Sequence, residues 1–232
     1  MKMRIMINKP EKLALIAHLE FLRMFERALR RAKLPVSLTQ GFNKHYKITY
    51  LNALPVGESS AGEPVDIDFN CDVTAEQLRE KLDLSLPDGF CISSACVLGA
   101  GAKSLSTLEQ KVDYRMEIAT PEAGGIARLE AAALEIIKAE TYVRSFERKK
   151  GLRDFDLAKL LSDFRVLSKT DKSMVIEFSL TNEGSIMLKP RELMGNLREE
   201  AGIPTLVEII SVHRKKTWFK IGDAYKDAME LC

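Results

Sequence analysis

Residues 2–8 are Lys-Met-Arg-Ile-Met-Ile-Asn, and the segment at 13–33 that follows them is LALIAHLEFLRMFERALRRAK. In the first stretch, long apolar side chains alternate with polar ones, which is typical of a strand with one buried face. In the second stretch, apolar residues recur every three or four positions, which predicts one long amphipathic helix. Leu34-Pro35 ends this helix, because proline cannot continue its hydrogen-bond ladder. The chain therefore opens with a strand and a helix.

The rest of the first half continues this order with further strands and one short helix. Thr74 and Gln77 have the spacing of a capping box, which predicts a helix from there to about residue 84. The segment Gly57 to Glu63 resembles a phosphate loop only superficially, because it lacks the Gly-Lys-Ser/Thr ending. The predicted strands of this half are 36–39, 47–54, 65–69 and 90–98, with a turn at 41–46.

A stretch rich in small residues and serine, 99–107, marks a boundary, and the order of elements then repeats. The predicted strands of the second half are 112–119, 142–146, 166–167, 174–180, 206–212 and 217–221, and its helices are 126–139, 156–161 and 190–200. Strand, helix, strand, strand, helix, strand is the order of a ferredoxin-like half. The sequence thus predicts an α+β fold of two tandem ferredoxin-like (βαββαβ) halves with antiparallel sheets, covering residues 1–103 and 104–232.

Composition narrows the classes of function. The 232 residues carry a net charge of only +2, so an acidic partner would have to bind a local basic face. Four cysteines without paired C-x-x-C spacing, and no signal peptide, predict free thiols in a reducing compartment. No apolar run approaches the roughly 20 residues of a membrane span. We therefore expect a cytoplasmic, soluble protein.

The most informative charged feature is the predicted first helix. Arg23, Arg27, Arg30 and Arg31 lie at offsets of four, seven and eight residues, so three share one helical face and the fourth lies beside it. Guanidinium groups in such a stripe suit phosphate oxygens. The alternative is an ordinary solvated face with local ion pairs to nearby glutamates.

Two further basic groups occur in the second half. One group is in a polar connection after a strand and comprises Arg144, Arg148, Lys149, Lys150 and Arg153. The other is the run 213–216, His-Arg-Lys-Lys, followed by Trp218 and Phe219. Rings interleaved with cations suit RNA, since bases stack on rings while phosphates pair with cations. The alternative for this run is the basic tip of a hairpin.

The predicted turn after the first helix is the second candidate for binding. Phe42, Asn43, His45 and Lys47 cluster there, and exposed loops commonly carry ligand-binding residues. An acid–base role for His45 with Lys47, or with His18 brought close by the fold, is conceivable. The three histidines show no metal-ligand spacing, and no nucleophile elbow or HExxH motif is present. The sequence therefore predicts no cofactor, no metal and no complete catalytic constellation.

Several of these segments together resemble a known family. They are His18-Leu19-Glu20, residues 25–32, Leu34-Pro35, Gly41-Phe42-Asn43, His45, Lys47-Ile48, Pro55-Val56-Gly57, Asp156-Leu157 and residues 188–193. The chain resembles an uncharacterised bacterial family whose members are fused to, or encoded beside, radical S-adenosylmethionine proteins. Lys44 and Tyr46 replace two prolines of the family's turn, and Glu20 replaces its aspartate. The resemblance implies an accessory module to a radical enzyme, in contact with RNA or the translation machinery.

Three hypotheses follow. In the first, the chain is a non-catalytic module that binds RNA or the translation machinery through the first-helix arginines and the adjacent turn. In the second, the same face docks an acidic patch of a protein partner, such as the radical enzyme, without RNA. In the third, the chain is a metal-independent RNA-processing enzyme.

Overall fold

The alternation at the start of the chain forms a buried strand. The computed structural model of the protein describes residues 1–148, 151–182 and 187–232. In it, β1 (Lys2–Lys9) pairs antiparallel with β3 (Glu58–Asp68) on one side and β4 (Ile92–Val97) on the other. Its Met3, Ile5 and Ile7 side chains are buried, as period-two alternation requires. This strand is the centre of the first hydrophobic core.

The chain divides into two compact units. The first comprises residues 1–108 together with 217–232, and the second comprises residues 109–216. That these units correspond to the predicted halves 1–103 and 104–232 stays a prediction. Residues 217–232 belong with the first unit, whereas the prediction placed them in the second half.

The first unit is a mixed α+β structure. Its sheet has the order β4-β1-β3, and β2 pairs with β3. All of these pairs are antiparallel. The remaining elements of this unit are α1 (His18–Arg31), β2 (Ile48–Tyr50) and α2 (Ala75–Asp83). The predicted capping box at the start of α2 is confirmed, since Thr74 Oγ1 accepts from the Gln77 amide and Gln77 Oε1 accepts from the Thr74 amide.

The predicted start of the first helix is wrong. We expected a helix over 13–33, but α1 begins at His18, after a short 3-10 turn at Glu11–Leu13. The buried ammonium of Lys9 donates hydrogen bonds to the carbonyls of Ala14 (2.9 Å) and Ile16 (2.8 Å). Those carbonyls are held by a side chain in a non-helical turn, so the helix starts only after them.

The second unit contains the remaining long elements, the last of which continues past residue 216 into the first unit. Its sheet runs β10-β5-β9-β8, and β5 pairs antiparallel with β9, which pairs antiparallel with β8. A separate hairpin is formed by β6 and β7. The elements are β5 (Gln110–Ala119), α3 (Gly125–Lys138), β6 (Val143–Arg148), β7 (Gly151–Asp156), α4 (Leu157–Leu160), β8 (Leu161–Lys169), β9 (Ser173–Thr181), α5 (Pro190–Glu200) and β10 (Glu208–Ile221).

The predicted hairpin tip at 213–216 is also wrong. These residues lie within β10, which continues through them to Ile221 and buries Val212, Arg214, Thr217 and Phe219. The true turn is Gly222-Asp223, after which β11 (Ala224–Asp227) pairs back on β10. Gly222 has φ of +61°, the conformation that a two-residue hairpin loop requires and that glycine adopts readily. A mixed α+β fold with mostly antiparallel sheets is thus confirmed.

The cysteines depart from the prediction of free thiols. Cys96 of β4 and Cys232 form a disulfide with their Cα atoms 6.2 Å apart, a usual separation for such a bond. The prediction is wrong for this pair and confirmed for Cys71 and Cys91, which are free and exposed. Among the described residues, no helix is both long enough and apolar enough to cross a membrane.

Candidate functional site

The predicted arginines lie on the solvent face of α1. The opposite face carries Phe21, Phe25, Ala28 and Leu29, all buried in the first core. Because a helix repeats every 3.6 residues, this burial turns the other face outward. The four exposed guanidinium side chains are those of Arg23, Arg27, Arg30 and Arg31.

These arginines differ in how far they are already engaged. Arg23 pairs with Glu20 at 2.6 Å, but both side chains are more than half exposed, so the pair contributes little. Arg31 donates to the carbonyl of Ser85 at 2.5 Å. In the described parts of the chain, no ion pair or hydrogen bond engages Arg27 or Arg30. Two guanidinium groups on one helical face therefore remain available for a ligand.

The predicted turn is an exposed loop. Gly41 has φ of +130°, a backbone conformation that glycine tolerates best. The amide of Thr39 donates to the carbonyl of His45 at 2.8 Å, and the amide of His45 donates to Thr39 Oγ1 at 3.0 Å, which closes the loop. Four side chains predicted to bind a ligand are exposed here: Phe42, Asn43, His45 and Lys47.

The loop at 41–47 and the α1 arginines are separate features of the first unit. Among the described residues, no hydrogen bond, ion pair or ring contact links the four loop side chains with these arginines. Similarly, the ring of His18 contacts Phe21 and Tyr50 and not His45. We therefore keep as a prediction that the arginine face of α1 and the loop at 41–47 form one binding surface.

The second basic group is engaged in structural ion pairs. Arg148 holds Glu192 of α5 through two hydrogen bonds of 2.6 and 2.9 Å. Arg144 pairs with Glu200 of the same helix. The guanidinium of Arg153 lies 5.5 Å from the ring of Phe155. These arginines stabilise the β6–β7 hairpin and its contacts with α5. Lys149 and Lys150 of this group lie outside the described residues.

The third basic group is part of the β10 strand. Arg214 is buried with its guanidinium 5.9 Å from the ring of Tyr114. Lys215 donates to Glu177 at 2.5 Å, and this bond lowers the pKa of the Glu177 carboxyl below its usual value, with a further contribution from Arg165. Phe219 is fully buried. This cation–aromatic run therefore contributes to packing, which leaves α1 and the 41–47 loop as the candidate interface.

A pocket in the first unit was not predicted from the sequence. About 350 Å³ of space, including the part open to solvent, lies between the start of α1, the end of β2 and the middle of β3. Its walls include Lys9, His18, Phe21, Tyr50, Leu54 and Glu63. The rings of His18 and Tyr50 meet edge to face with centroids 6.1 Å apart, and the ring of Phe21 stacks against His18 at 6.4 Å.

Residues 2–190 match the family described as "Uncharacterized protein conserved in bacteria (DUF2344)". The chain belongs to this family. The uncharacterised bacterial family suggested by residues 18–57 is thereby confirmed, while the association with radical enzymes stays a prediction. Among curated proteins, none matches the chain in sequence.

Solved structures resemble this DUF2344 chain in fold. A chain of the Cbf5-Nop10-Gar1 complex matches 93% of it with a TM-score of 0.50 and 10% sequence identity. A chain of the archaeal box H/ACA sRNP Nop10-Cbf5 complex matches 91% of it with a TM-score of 0.48 and 10% identity. The DUF2344 chain spans 48% and 46% of those chains, which is less than half their length. At such low identity the likeness is one of fold alone.

Burial determines the protonation states of two side chains in the pocket of this DUF2344 chain. Burial lowers the pKa of the His18 imidazole, the Glu63 carboxylate opposes this, and the Lys9 ammonium adds to it. Burial also raises the pKa of the Tyr50 phenol, with a further contribution from Glu26. At neutral pH, His18 is therefore a neutral ring and Tyr50 keeps its proton as a hydrogen-bond donor.

No described residues suggest a metal centre in either unit. Among them, no group of three or more histidine, cysteine, aspartate or glutamate side chains is placed to hold an ion. The pocket could not be found by spacing, because its rings come from α1 and from β2, about thirty residues later in the chain. The available signal was His18, which the sequence places on the first helix and which was considered above only as an acid–base partner of His45.

The pKa of His18 predicts a pH dependence of stability. Because this pKa lies below the usual 6.5 in the folded chain, the unfolded chain takes up the proton first as pH falls. The free energy of unfolding should therefore decrease as pH falls through 6.5 towards the folded pKa, and His18→Gln should remove that part of the decrease. Urea unfolding at about pH 7.5 and about pH 5.5 measures it. His45→Gln changes an exposed ring and is the matched control. If the free energy of unfolding changed equally between the two pH values in both variants, the prediction would be contradicted.

Proposed function

We propose that this protein is a non-catalytic RNA-binding module that uses the exposed face of α1 and the loop at 41–47. The observation that carries the proposal is the availability of Arg27 and Arg30, which no described residue engages. Planar guanidinium forks bind phosphate oxygens through two hydrogen bonds, and the cost of separating a weak surface pair such as Arg23–Glu20 is small.

The loop adds groups that suit single-stranded RNA. Phe42 is exposed over its whole side chain, although burial of a phenylalanine is normally favourable. Exposed rings stack on unpaired bases, and Asn43 and His45 offer donors and acceptors for base edges. Single-stranded or loop RNA is therefore the favoured ligand, with the ribosome or its RNA as one source of it.

The family resemblance supports a proposal for the protein with which this module works. We propose that it serves a radical S-adenosylmethionine protein in the cytoplasm, holding RNA or a part of the translation machinery for it. The rival proposal is a docking module without RNA, in which an acidic patch of the enzyme takes the place of phosphate. It is favoured by Leu15 and Leu19, large apolar side chains exposed near the start of α1. An RNA-processing enzyme is not proposed, because no contact among the described residues brings His18 and His45 together.

We also propose that the two units descend from ferredoxin-like halves. The order β4-β1-β3-β2 in the first unit and β10-β5-β9-β8 in the second support this, since both place the first and third strands at the centre. In the second unit, the β6–β7 hairpin and α4 would be an insertion. The predicted domain limits of 1–103 and 104–232 would then need residues 217–232 moved to the first domain.

The test compares RNA binding by the wild type and by Arg27→Ala/Arg30→Ala. Loss of two phosphate contacts should weaken binding of a single-stranded RNA about tenfold or more at about 0.1 M salt, and make the slope of log affinity against log salt less steep by about 1.4. Fluorescence anisotropy over a salt series measures both quantities.

The matched control removes the same charge elsewhere. Arg115 and Arg191 are exposed arginines of the second unit, so Arg115→Ala/Arg191→Ala should bind RNA as the wild type does. Equal weakening by both double variants would show that only net charge matters. Absence of RNA binding by the wild type, together with capture of a radical enzyme that is lost with Arg27→Ala/Arg30→Ala, would support the docking module instead.

A further inference from the structure

We propose that Cys96 and Cys232 form a redox-active site that exchanges with an anionic low-molecular-weight thiol. Closing their disulfide fastens the segment 217–232 to the rest of the first unit, and opening it loosens that segment. The inference goes beyond RNA binding and does not rest on it. It follows from the place of the disulfide, from the access of a thiol to it and from the contacts that it holds.

The disulfide joins the two pieces of chain that make up the first unit. Cys96 lies in β4, within residues 1–108, and Cys232 lies in the segment 217–232. The segment is also held by the pairing of β11 with β10 and by Leu231, which packs against a small apolar cluster. The fold therefore keeps the two cysteines close to one another even when the bond is open, so that it can form again.

A disulfide in this setting is expected to be reversible. In the cytoplasm, where we place this protein, small thiols keep cysteines reduced, and the disulfides that do form there are usually transient and redox-sensing. Exposed disulfides are reduced more easily than buried ones. Cys232 is exposed and Cys96 is only partly buried, so a thiolate can reach the bond.

An open cleft of about 340 Å³ beside the bond suits the incoming thiol, and Cys232 is one of its walls. The stretch 99–103 forms another wall, and Leu108, Ile221 and Leu231 supply apolar surface. Among the described side chains that line the cleft, that of Lys103 is the charged one. A cleft of this size admits a small peptide thiol, and the ammonium attracts its carboxylates.

The exchange has two balanced steps. In the first, a small thiolate attacks Cys232 Sγ, the bond between the two protein sulfurs breaks, and Cys96 leaves as a thiolate that takes a proton from water. In the second, another small thiolate attacks the small-thiol sulfur of the mixed disulfide and releases the Cys232 thiolate. Two small thiols are thus oxidised to their disulfide while the protein disulfide is reduced to two thiols. Oxidation of the protein by the small disulfide is the reverse.

The bond fastens a turn that contributes to the core. The 3-10 turn Ala228–Leu231 lies directly before Cys232, and the Ala228 carbonyl accepts a hydrogen bond of 3.0 Å from the buried Arg4 guanidinium. Reduction removes the link between this turn and β4. We therefore expect the turn to open more often in the reduced chain, while β11 stays paired with β10.

The test counts thiols in full-length Cys71→Ser/Cys91→Ser, which keeps only the pair. The protein is equilibrated with glutathione, either about 10 mM reduced with about 0.1 mM oxidised or about 0.1 mM reduced with about 5 mM oxidised. After acid quenching, unfolding and alkylation, mass spectrometry should show both thiols alkylated from the first buffer and neither from the second. In the reduced form, the amides of residues 228–231 should exchange hydrogen at least about tenfold faster than in the oxidised form, with no change in residues 109–216.

Further variants in that background locate the attack and define the thiol. With oxidised glutathione, Cys96→Ser should form a mixed disulfide at Cys232 at least about tenfold faster than Cys232→Ser forms one at Cys96. Lys103→Glu should slow reduction of the pair by glutathione about three- to tenfold. Reduction by cysteamine, whose thiolate form has no net charge, should stay the same in that variant and is the matched control.

Each result decides one part of the proposal. A pair that stays closed in the first buffer is a permanent structural disulfide, and a pair that stays open in the second does not form in solution; either overturns the redox site. Equal effects of Lys103→Glu on glutathione and on cysteamine overturn the anionic ligand. Equal exchange of residues 228–231 in both forms overturns the control of the segment. If Cys96→Ser does not fold, the two buffers still decide. RNA binding through Arg27 and Arg30 stands or fails independently of these results.

Discussion

Asp66→Ala is expected to lower the free energy of unfolding by about 3–5 kcal/mol. Arg4 and Asp66 lie directly opposite on β1 and β3, and Arg4 is 0% exposed. Its guanidinium donates to both carboxylate oxygens at 2.7 and 3.1 Å, and to the carbonyl of Ala228 at 3.0 Å. Without Asp66, the buried guanidinium of Arg4 keeps only one strong partner. This uncompensated buried charge is what makes the loss of one member of a buried pair costly. Urea unfolding followed by circular dichroism measures the loss.

The control for Asp66 is the exposed pair on α1. Glu20→Ala removes the carboxylate that binds Arg23, and should change the stability by about 0.5 kcal/mol or less. A loss of less than about 1 kcal/mol for Asp66→Ala would contradict the prediction. It would mean that water reaches the Arg4 guanidinium and solvates it once the carboxylate is removed.

Lys9→Met is expected to destabilise the chain by about 3–6 kcal/mol, since a hydrogen bond from a charged group contributes about 1.5–3 kcal/mol and this residue makes two. Lys9 is 2% exposed, and methionine keeps most of its volume. The loss should be greatest before α1, where the carbonyls of Ala14 and Ile16 depend on the ammonium. Hydrogen exchange of the amides at residues 11–17 measures this local effect beside global unfolding.

The control for Lys9 is a lysine of the same turn. Lys12 is exposed, so Lys12→Met should leave both stability and exchange close to those of the wild type. Uniform exchange across the first unit in Lys9→Met, with no excess at 11–17, would contradict the local role of the ammonium. It would leave the charge balance with Glu58 and Glu63 as the source of the stability.

Local signals predicted the elements that depend on neighbouring residues. Pro190 predicted the start of α5, because proline lacks an amide hydrogen and fits the first helical position. Thr74 and Gln77 predicted the cap of α2, and alternation predicted β1. For the two helices the stabilising group lies within four residues of the backbone that it stabilises, whereas β1 was predicted from its alternation alone.

Elements decided by distant contacts were not predicted. Residues Gly57 to Glu63 look like a polar loop, yet Glu58, Ser59 and Ser60 are buried in β3, where Ser60 lies opposite Lys9. Tertiary pairing outweighs the low strand propensity of this stretch. The charged run 213–216 was interpreted as a hairpin tip because it is polar, although its adjacent residues Arg214 and Lys215 both contact side chains of the second unit.

The candidate site likewise has one part that depends on local sequence and other parts that depend on distant contacts. The arginine face could be predicted, because it depends only on helical period and on burial of the opposite face. The engagement of Arg144 and Arg148 could not, because Glu200 and Glu192 lie more than forty residues away. The pocket of His18 and Tyr50 could not be predicted either, since only the pairing of β2 with β3 brings Tyr50 to α1.

The first unit is made of two segments, residues 1–108 and 217–232, which are separated in sequence by the whole second unit. This arrangement has a consequence for biosynthesis. A ribosome adds about 5–20 residues per second, so about 5–20 s separate the emergence of residue 108 from that of residue 217. Throughout that interval the nascent first unit lacks its closing segment, and Arg4 lacks the carbonyl of Ala228. The second unit can complete its folding only at the end of this interval, because its last residues, 208–216, emerge just before residue 217. The unfinished first unit is therefore the species that a chaperone would have to protect from association with neighbouring chains.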